Sequence, residues 1–405
     1  MKRTVMIRMV LAGVALVWLA PGLRPTAFGQ TASMQAPHIG EGGLPIFERD
    51  PNWPKVPARW NMGFGSAVAV DDRDHVWILS RPKTLPRSTS ADTKSPAPPV
   101  MEFDNDGNFV QGWGGESGPG YQWPSNEHGI TIDHKGFVWV VGNADGKSNN
   151  PANLPNDNEI LKFTRTGTFV MKIGQSGQTG SNKTLVLRGA TGLRVYPKTN
   201  ELFVSDGYGN ARIMVFDADT GQFKRMWGAY GNKALDAEDR PPRSKPSDNP
   251  YVAVAEVLQQ FRSPVHDVAV SNDGLVYVSD RGNKRVQVFT PEGKFIAEQF
   301  VGLDSREGLQ ARSTAFSHDR GQNFLYVAGT PVVFILNRRT LEVLGSIKTG
   351  ESQEHPPGHQ MAADHKGNIY VVQAELTGPD GKSGGTGAQK FLFKGYAPRT
   401  RPSTH

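Results

Sequence analysis

Six stretches of the sequence repeat one pattern, and this repetition constrains the fold more than any other feature. Each opens on a distinctive residue, runs into an alternating apolar strand, turns on polar residues and returns as a second apolar strand. They read Ser66-AVAVDDRDHVWILSR, His128-GITIDHKGFVWVVGN, Thr191-GLRVYPKTNELFVSDG, His266-DVAVSNDGLVYVSDR, Arg312-STAFSHDRGQNFLYVAG and His359-QMAADHKGNIYVVQA. Most are followed by a hairpin such as VMEFDNDGNFVQGWG, EILKFTRTGTFVMKIG, ARIMVFDADTGQFKRMWG or RVQVFTPEGKFIAEQF. Period-two apolar alternation around Asp-Gly and Glu-Gly turns predicts strand, turn and strand. Four short strands per unit cannot bury their own faces, so the units must stack on one another. Radial stacking with short, protected edges predicts an all-β fold, a six-bladed β-propeller.

The opening residues lie 62, 63, 75, 46 and 47 positions apart. The shortest interval fits one four-stranded blade. The extra length elsewhere falls in Pro82–Pro99, Ala144–Asn158, Ala229–Arg262 and Leu376–Ala388, which are rich in Pro, Gly, Ser, Asn and charge and read as loops. Val252–Phe261 has the pattern of a short helix within one of them. The last unit has three clear strands, ending at Gln389–Lys394. Its fourth is expected from Leu44–Arg49, because an open ring would leave an exposed strand edge.

The N-terminus reads as a leader. Lys2, Arg3 and Arg8 precede or enter an apolar run from Met9 to Ala20, and Ala27-Phe28-Gly29 forms a small-x-small site before Gln30. The run is short for a membrane span and has the anatomy of a secretory signal peptide. The expected organisation is a signal peptide over 1–29, an arm over 30–60 that closes the last blade, the propeller over 61–396 and a tail over 397–405. The net charge of +6 is concentrated in the leader; without it 41 basic residues face 39 acidic ones, a net +2. No polyanion is called for, so no nucleic acid is expected as a partner. The expectation is an exported monomer, periplasmic or extracellular, with no membrane attachment after cleavage. The chain has no cysteine, which excludes disulfides, thiolate metal sites and a cysteine nucleophile.

In a propeller the first strand of each unit is innermost, so the opening residues gather at one mouth of the central channel. They are Ser66, His128, Thr191, His266, Arg312 and His359. Histidine therefore occupies blades two, four and six, which aims three imidazoles at one axis. Three neutral imidazoles plus one open position are the ligand set of a catalytic zinc, and imidazole also suits other first-row metals. The second strands end near the same mouth with Arg81, with Tyr208 in Ser205-Asp-Gly-Tyr-Gly-Asn210 and with Arg281 in Ser279-Asp-Arg-Gly-Asn283. A tyrosine there is a candidate base and the arginines candidate carboxylate binders. Equally, these segments read as repeat turns in which Asp206 and Asp280 bond nearby backbone. His75, His134 and His365 sit in turns and read as solvated hairpin tips, and His355 is a substitute ligand in a Pro-rich loop.

The repeats resemble NHL-type propellers over nearly all of the chain beyond the leader. His128-Gly-Ile-Thr-Ile-Asp, Ser205-Asp-Gly-Tyr-Gly-Asn-Ala-Arg, His266-Asp-Val-Ala-Val and Asp280-Arg-Gly-Asn-Lys-Arg resemble the peptidyl-α-hydroxyglycine α-amidating lyases. That resemblance implies cleavage of a C-terminal α-hydroxyglycine to a peptide amide and glyoxylate. It implies zinc on His128, His266 and His359, a catalytic Tyr208 and active-site Arg81 and Arg281. The implied substrate is a small molecule or a peptide C-terminus. Animal members of the family carry disulfides, absent here. Their third histidine follows Met-Pro and precedes an Asp associated with structural calcium, whereas Pro357-Gly358 precede His359 and Gln360 follows it. Calcium is thereby put in doubt. No monooxygenase segment that would make the hydroxyglycine is seen. Rival readings are a non-enzymatic propeller that binds protein or glycan, and another propeller enzyme such as a streptogramin-type lyase. A lactonase would use carboxylate and amide oxygens for its hard cation, unlike this histidine set. Gly146-Lys147-Ser148 and Gly381-Lys382-Ser383 lack the upstream glycine of a phosphate loop.

Overall fold

The computed structural model describes residues 43–85, 94–144, 157–178, 180–239, 259–302, 310–329, 332–349, 358–373 and 387–397. The leader, His355, most of Val252–Phe261 and most of Leu376–Ala388 lie outside the described residues. Blade one comprises Phe64–Val70, Val76–Arg81, Val100–Phe103 and Phe109–Trp113. Blade two comprises Glu127–Ile132, Val138–Gly142, Glu159–Phe163 and Phe169–Gly174, and blade three Ala190–Tyr196, Glu201–Asp206, Arg212–Asp217 and Phe223–Trp227. Blade four comprises Val265–Val270, Val276–Asp280, Arg285–Phe289 and Phe295–Phe300, and blade five Ser313–Phe316, Phe324–Ala328, Val332–Asn337 and Val343–Lys348. Blade six takes Gly358–Ala363, Ile369–Gln373 and Ala388–Tyr396 from the C-terminal end. Its outermost strand, Pro45–Asp50, comes from the N-terminal end and pairs antiparallel with Ala388–Tyr396, placing Phe47 opposite Phe393 and Arg49 opposite Phe391. The fold is a six-bladed β-propeller, and the inner strands touch their neighbours all the way round, last to first.

The apolar alternation has a direct use here. Each blade has two buried faces, and each of the six blade interfaces holds its own apolar cluster. Trp139 and Val141 of blade two meet Leu193 and Val204 of blade three. Phe203 and Ile213 of blade three meet Val265 and Val276 of blade four. Val68 and Ile78 of blade one meet Tyr370 and Val372 of blade six, where Trp53 also packs. Stability is therefore a sum of neighbour interfaces closed into a ring. The polar turns also reach inward: Trp77 and Trp139 donate their indole N–H to Asp71 and Asp133, both at 2.9 Å.

One irregularity recurs. The pairing of first and second strands slips between Gly65 and Ala67, Glu127 and Gly129, Ala190 and Gly192, Val265 and Asp267, and Gly358 and Gln360. Five blades thus carry a β-bulge on the very residue that opens the repeat: Ser66, His128, Thr191, His266 or His359. A bulge re-aims the side chain of the extra residue. Between the second and third strands of blade one, the described residues include a 3-10 turn at Pro82–Thr84 and a short strand, Ser95–Pro96, parallel to Trp60–Asn61.

Candidate metal centre

His128, His266 and His359 are buried at the end of the channel where the inner strands begin, with ring centroids 4.6–4.9 Å apart. Each Nδ1 meets the carbonyl of the opening residue on the next blade: Thr191 for His128 at 2.9 Å, Arg312 for His266 at 2.7 Å and Ser66 for His359 at 2.6 Å. A carbonyl only accepts, so Nδ1 carries the proton in all three and each neutral ring turns a bare Nε2 to its neighbours. The even blades supply imidazoles and the odd blades supply the carbonyls that fix their tautomer, as outer-shell partners of metal-bound histidines do.

Burial keeps these rings uncharged. It pulls His128 down to about 3, aided by the nearby Arg81 charge, and holds His266 and His359 well below the ordinary histidine value. The Nε2 atoms of His266 and His359 lie 3.2 Å apart with no proton between them. Nitrogens sharing a tetrahedral ion at about 2.0–2.1 Å stand about 3.3 Å apart. The buried His128 Nε2 has no hydrogen-bond partner among the described residues. Three convergent lone pairs, one orphaned, fit a metal of the borderline class that imidazole prefers.

Tyr208 and the two arginines come to the same place. The Tyr208 ring meets His128 edge to face at 5.2 Å and stands 6.1 Å from His266. Arg281 directs one guanidinium nitrogen to the Tyr208 hydroxyl at 3.4 Å and is held from behind by Gln310. Arg81 donates from Nε to the Glu127 carbonyl at 2.6 Å, beside His128, and its charge acts on His128 and His359. All six residues singled out in the sequence therefore gather around one end of the channel.

The turns that carry Tyr208 and Arg281 share one internal framework. Asp206 accepts from Arg188 N, Asn210 and Arg212, and Asp280 accepts from Arg262 N, Asn283 and Arg285. Both Asp–Arg pairs are fully buried. These aspartates do bond backbone, as a turn would require, but their larger partners are arginines of the following strand. Gly207 lets the first turn run against blade four, since a Cβ there would lie 1.8 Å from the Val265 carbonyl oxygen. Ser263 completes the support by donating to the Tyr208 carbonyl at 2.6 Å.

Two residues beside the centre were not singled out for a role. Arg312 opens blade five, and its charge acts on His266 and His359. Its position in the repeat register was the available signal. Gln360 donates its amide to the Thr191 carbonyl at 3.1 Å, across the ring from blade six to blade three. That oxygen already accepts from His128, so the amide is committed to bracing the channel. The charged oxygen a structural calcium would want at this position is absent, and the position does not fit calcium. His75 departs from the expected solvated tip: its Nδ1 lies 2.7 Å from the buried Glu102. Asp71, His75 and Glu102 form a second cluster of ligand-type groups, but Arg73, Arg165, Trp77 and Gln111 already occupy its carboxylates. His134 and His365 are exposed.

The NHL repeat family matches residues 265–289, the first three strands of blade four. Peptidyl-glycine alpha-amidating monooxygenase B of Xenopus laevis is 28% identical over 253 residues, covering 61% of this chain and 25% of the relative. The chain resembles the amidating lyases. A probable peptidyl-alpha-hydroxyglycine alpha-amidating lyase of Caenorhabditis elegans is 28% identical over 165 residues, 40% of this chain and 36% of that one. NHL repeat-containing protein 3 of Homo sapiens is 24% identical over 348 residues, 81% of each. The chain spans about a quarter of the length of the amphibian relative.

Proposed function

We propose that this protein is an exported, zinc-dependent carbon–nitrogen lyase that splits an α-hydroxyglycine-type amide into an amide and glyoxylate. The observation that carries this reading is the ring of three neutral imidazoles with bare Nε2 atoms inward, next to a tyrosine and an arginine in contact. Lewis acidity toward a substrate oxygen is the chemistry that a zinc ion on His128, His266 and His359 supplies. Tyr208 takes the proton from the α-hydroxyl. As that oxygen forms the aldehyde, the carbon–nitrogen bond breaks, and the nitrogen leaves with the electron pair and takes from Tyr208 the proton that came from the hydroxyl. Arg281 stabilises the negative charge that collects near the Tyr208 oxygen, and Arg81 and Arg281 bind the carboxylate of the substrate by their forked guanidinium groups.

The test is glyoxylate release from α-hydroxyhippurate by the purified mature chain, with and without chelator. The expected result is turnover that chelator abolishes and added zinc restores, with metal content near one ion per chain that falls in His128→Ala and His359→Ala. Full metal content in both variants would place the ion elsewhere. N-terminal sequencing of the exported protein is expected to begin at Gln30.

A second reading, a protein- or glycan-binding scaffold, draws on the long alignment with NHL repeat-containing protein 3. A folded, metal-free and inactive purified protein would favour it.

A further inference from the structure

The channel has a second end, and its residues differ in kind from those of the histidine ring. Where the inner strands finish, a partly open cavity of about 160 Å³ is lined by apolar side chains, among them Val70, Val270, Phe316 and Ala363, together with polar ones. Three polar side chains border it: Arg194, Thr314 and Gln322, the last with its carbonyl oxygen accepting from Asn272 N at 2.7 Å. Arg194, on blade three, reaches in with its guanidinium; its one hydrogen bond among the described residues is a long 3.5 Å contact to Thr131 Oγ1. Thr314, on blade five, contributes a buried hydroxyl that has no partner among the described residues. His266 and Val270 sit four residues apart on one strand, so this cavity lies about 10–13 Å from the histidine ring at the usual rise per residue. Between the two lies a polar belt of Asp267, Ser313 and Gln360.

Asp267 is the obvious counter-ion for Arg194, but its oxygens are already engaged. Oδ1 accepts from Val268 N at 2.9 Å, and Oδ2 accepts from Ser313 Oγ at 2.6 Å and Thr314 N at 3.2 Å. Asp267 acts on Arg194 only through space, while burial works against the Arg194 charge. A guanidinium offers five donors in a planar fork that matches a carboxylate. Here Arg194 lines the cavity with one long hydrogen bond from its guanidinium among the described residues, beside the Thr314 hydroxyl, which has none among them. Small-molecule sites likewise combine apolar side chains with a few polar groups that fix a ligand's orientation.

We infer that this cavity is a binding site for a small aliphatic monocarboxylate, its carboxylate held by Arg194 and Thr314 and its short carbon end against Val70, Val270 and Phe316. The inference does not depend on the lyase reading, because it uses none of the residues of the histidine ring. The test is acetate binding to the full chain, followed by ligand-observed NMR saturation transfer and by thermal melting. Saturable binding is expected with a Kd on the order of 1–10 mM, unchanged after chelator treatment. Arg194→Met should weaken it at least about tenfold, as loss of a charge-assisted fork does. Thr314→Val keeps the shape, removes the hydroxyl and should weaken it about threefold to tenfold, which keeps the test usable should Arg194→Met fail to fold. No saturable binding by the wild type, equal binding by both variants, or loss of binding on chelation would overturn the site.

Discussion

Three imidazoles face one another with bare nitrogens because three carbonyls on the intervening blades hold their other nitrogens protonated. The chemistry at this scale rests on Tyr208 and Arg281, which touch at 3.4 Å. Tyr208→Phe keeps the ring against His128 and removes only the hydroxyl; it should lower kcat for α-hydroxyhippurate by about 10²–10⁴-fold with metal content intact, read by steady-state kinetics and elemental analysis. A metal content that fell with activity would make Tyr208 structural. These residue identities were legible in the sequence because each sits at a fixed place in a repeated pattern. Arg312 stood in the same register and so at the same mouth, but the register did not say how near the histidines its charge would come. Only the packing of blades four to six brings its charge to them.

At the scale of the element, each blade is a four-stranded sheet whose second and third strands are clamped by an Asp–Arg pair in blades three and four. A buried ion pair contributes little net stability when whole, but removing one partner leaves an uncompensated charge. Asp206→Ala should therefore destabilise the protein by about 3–5 kcal/mol in denaturant unfolding, and it should also reduce kcat, since the same turn presents Tyr208. An effect on activity with no loss of stability would contradict the clamp. Blade three carries a second, more peripheral pairing: Arg225, with Lys224, holds the Glu201 carboxyl down at about 2. The folded state thus favours the ionised form, so its contribution is present above the unfolded value near 4.5 and is lost as pH falls toward 2. Glu201→Gln should flatten the decline of the melting temperature over that window, and an unchanged slope would count against it. The Ser-Asp turn sequences made a turn legible, but not that the arginines six and five positions on would be buried against the aspartates.

For the whole molecule, closure is the decisive event. Pro45–Asp50 supplies the outer strand of blade six and joins the two ends of the ring. Phe47 packs against Tyr326 and Phe393 there. Phe47→Asp should open the edge of blade six, lowering the melting temperature and promoting edge-to-edge association that light scattering detects. A monodisperse variant with unchanged melting would show that the strand is dispensable. The sequence by itself determined the number of blades, the all-β class and the placing of histidine on alternate units, because strand alternation, turn chemistry and repeat spacing are local properties written within a few tens of residues. Tertiary structure alone decided which atoms meet. His359 finds the Ser66 carbonyl across 293 positions of chain, Gln360 reaches the far side of the ring, and Arg194 is left facing a chamber at the other mouth. Those pairings depend on how the blades bulge, tilt and close upon one another, and no short stretch of sequence carries that geometry.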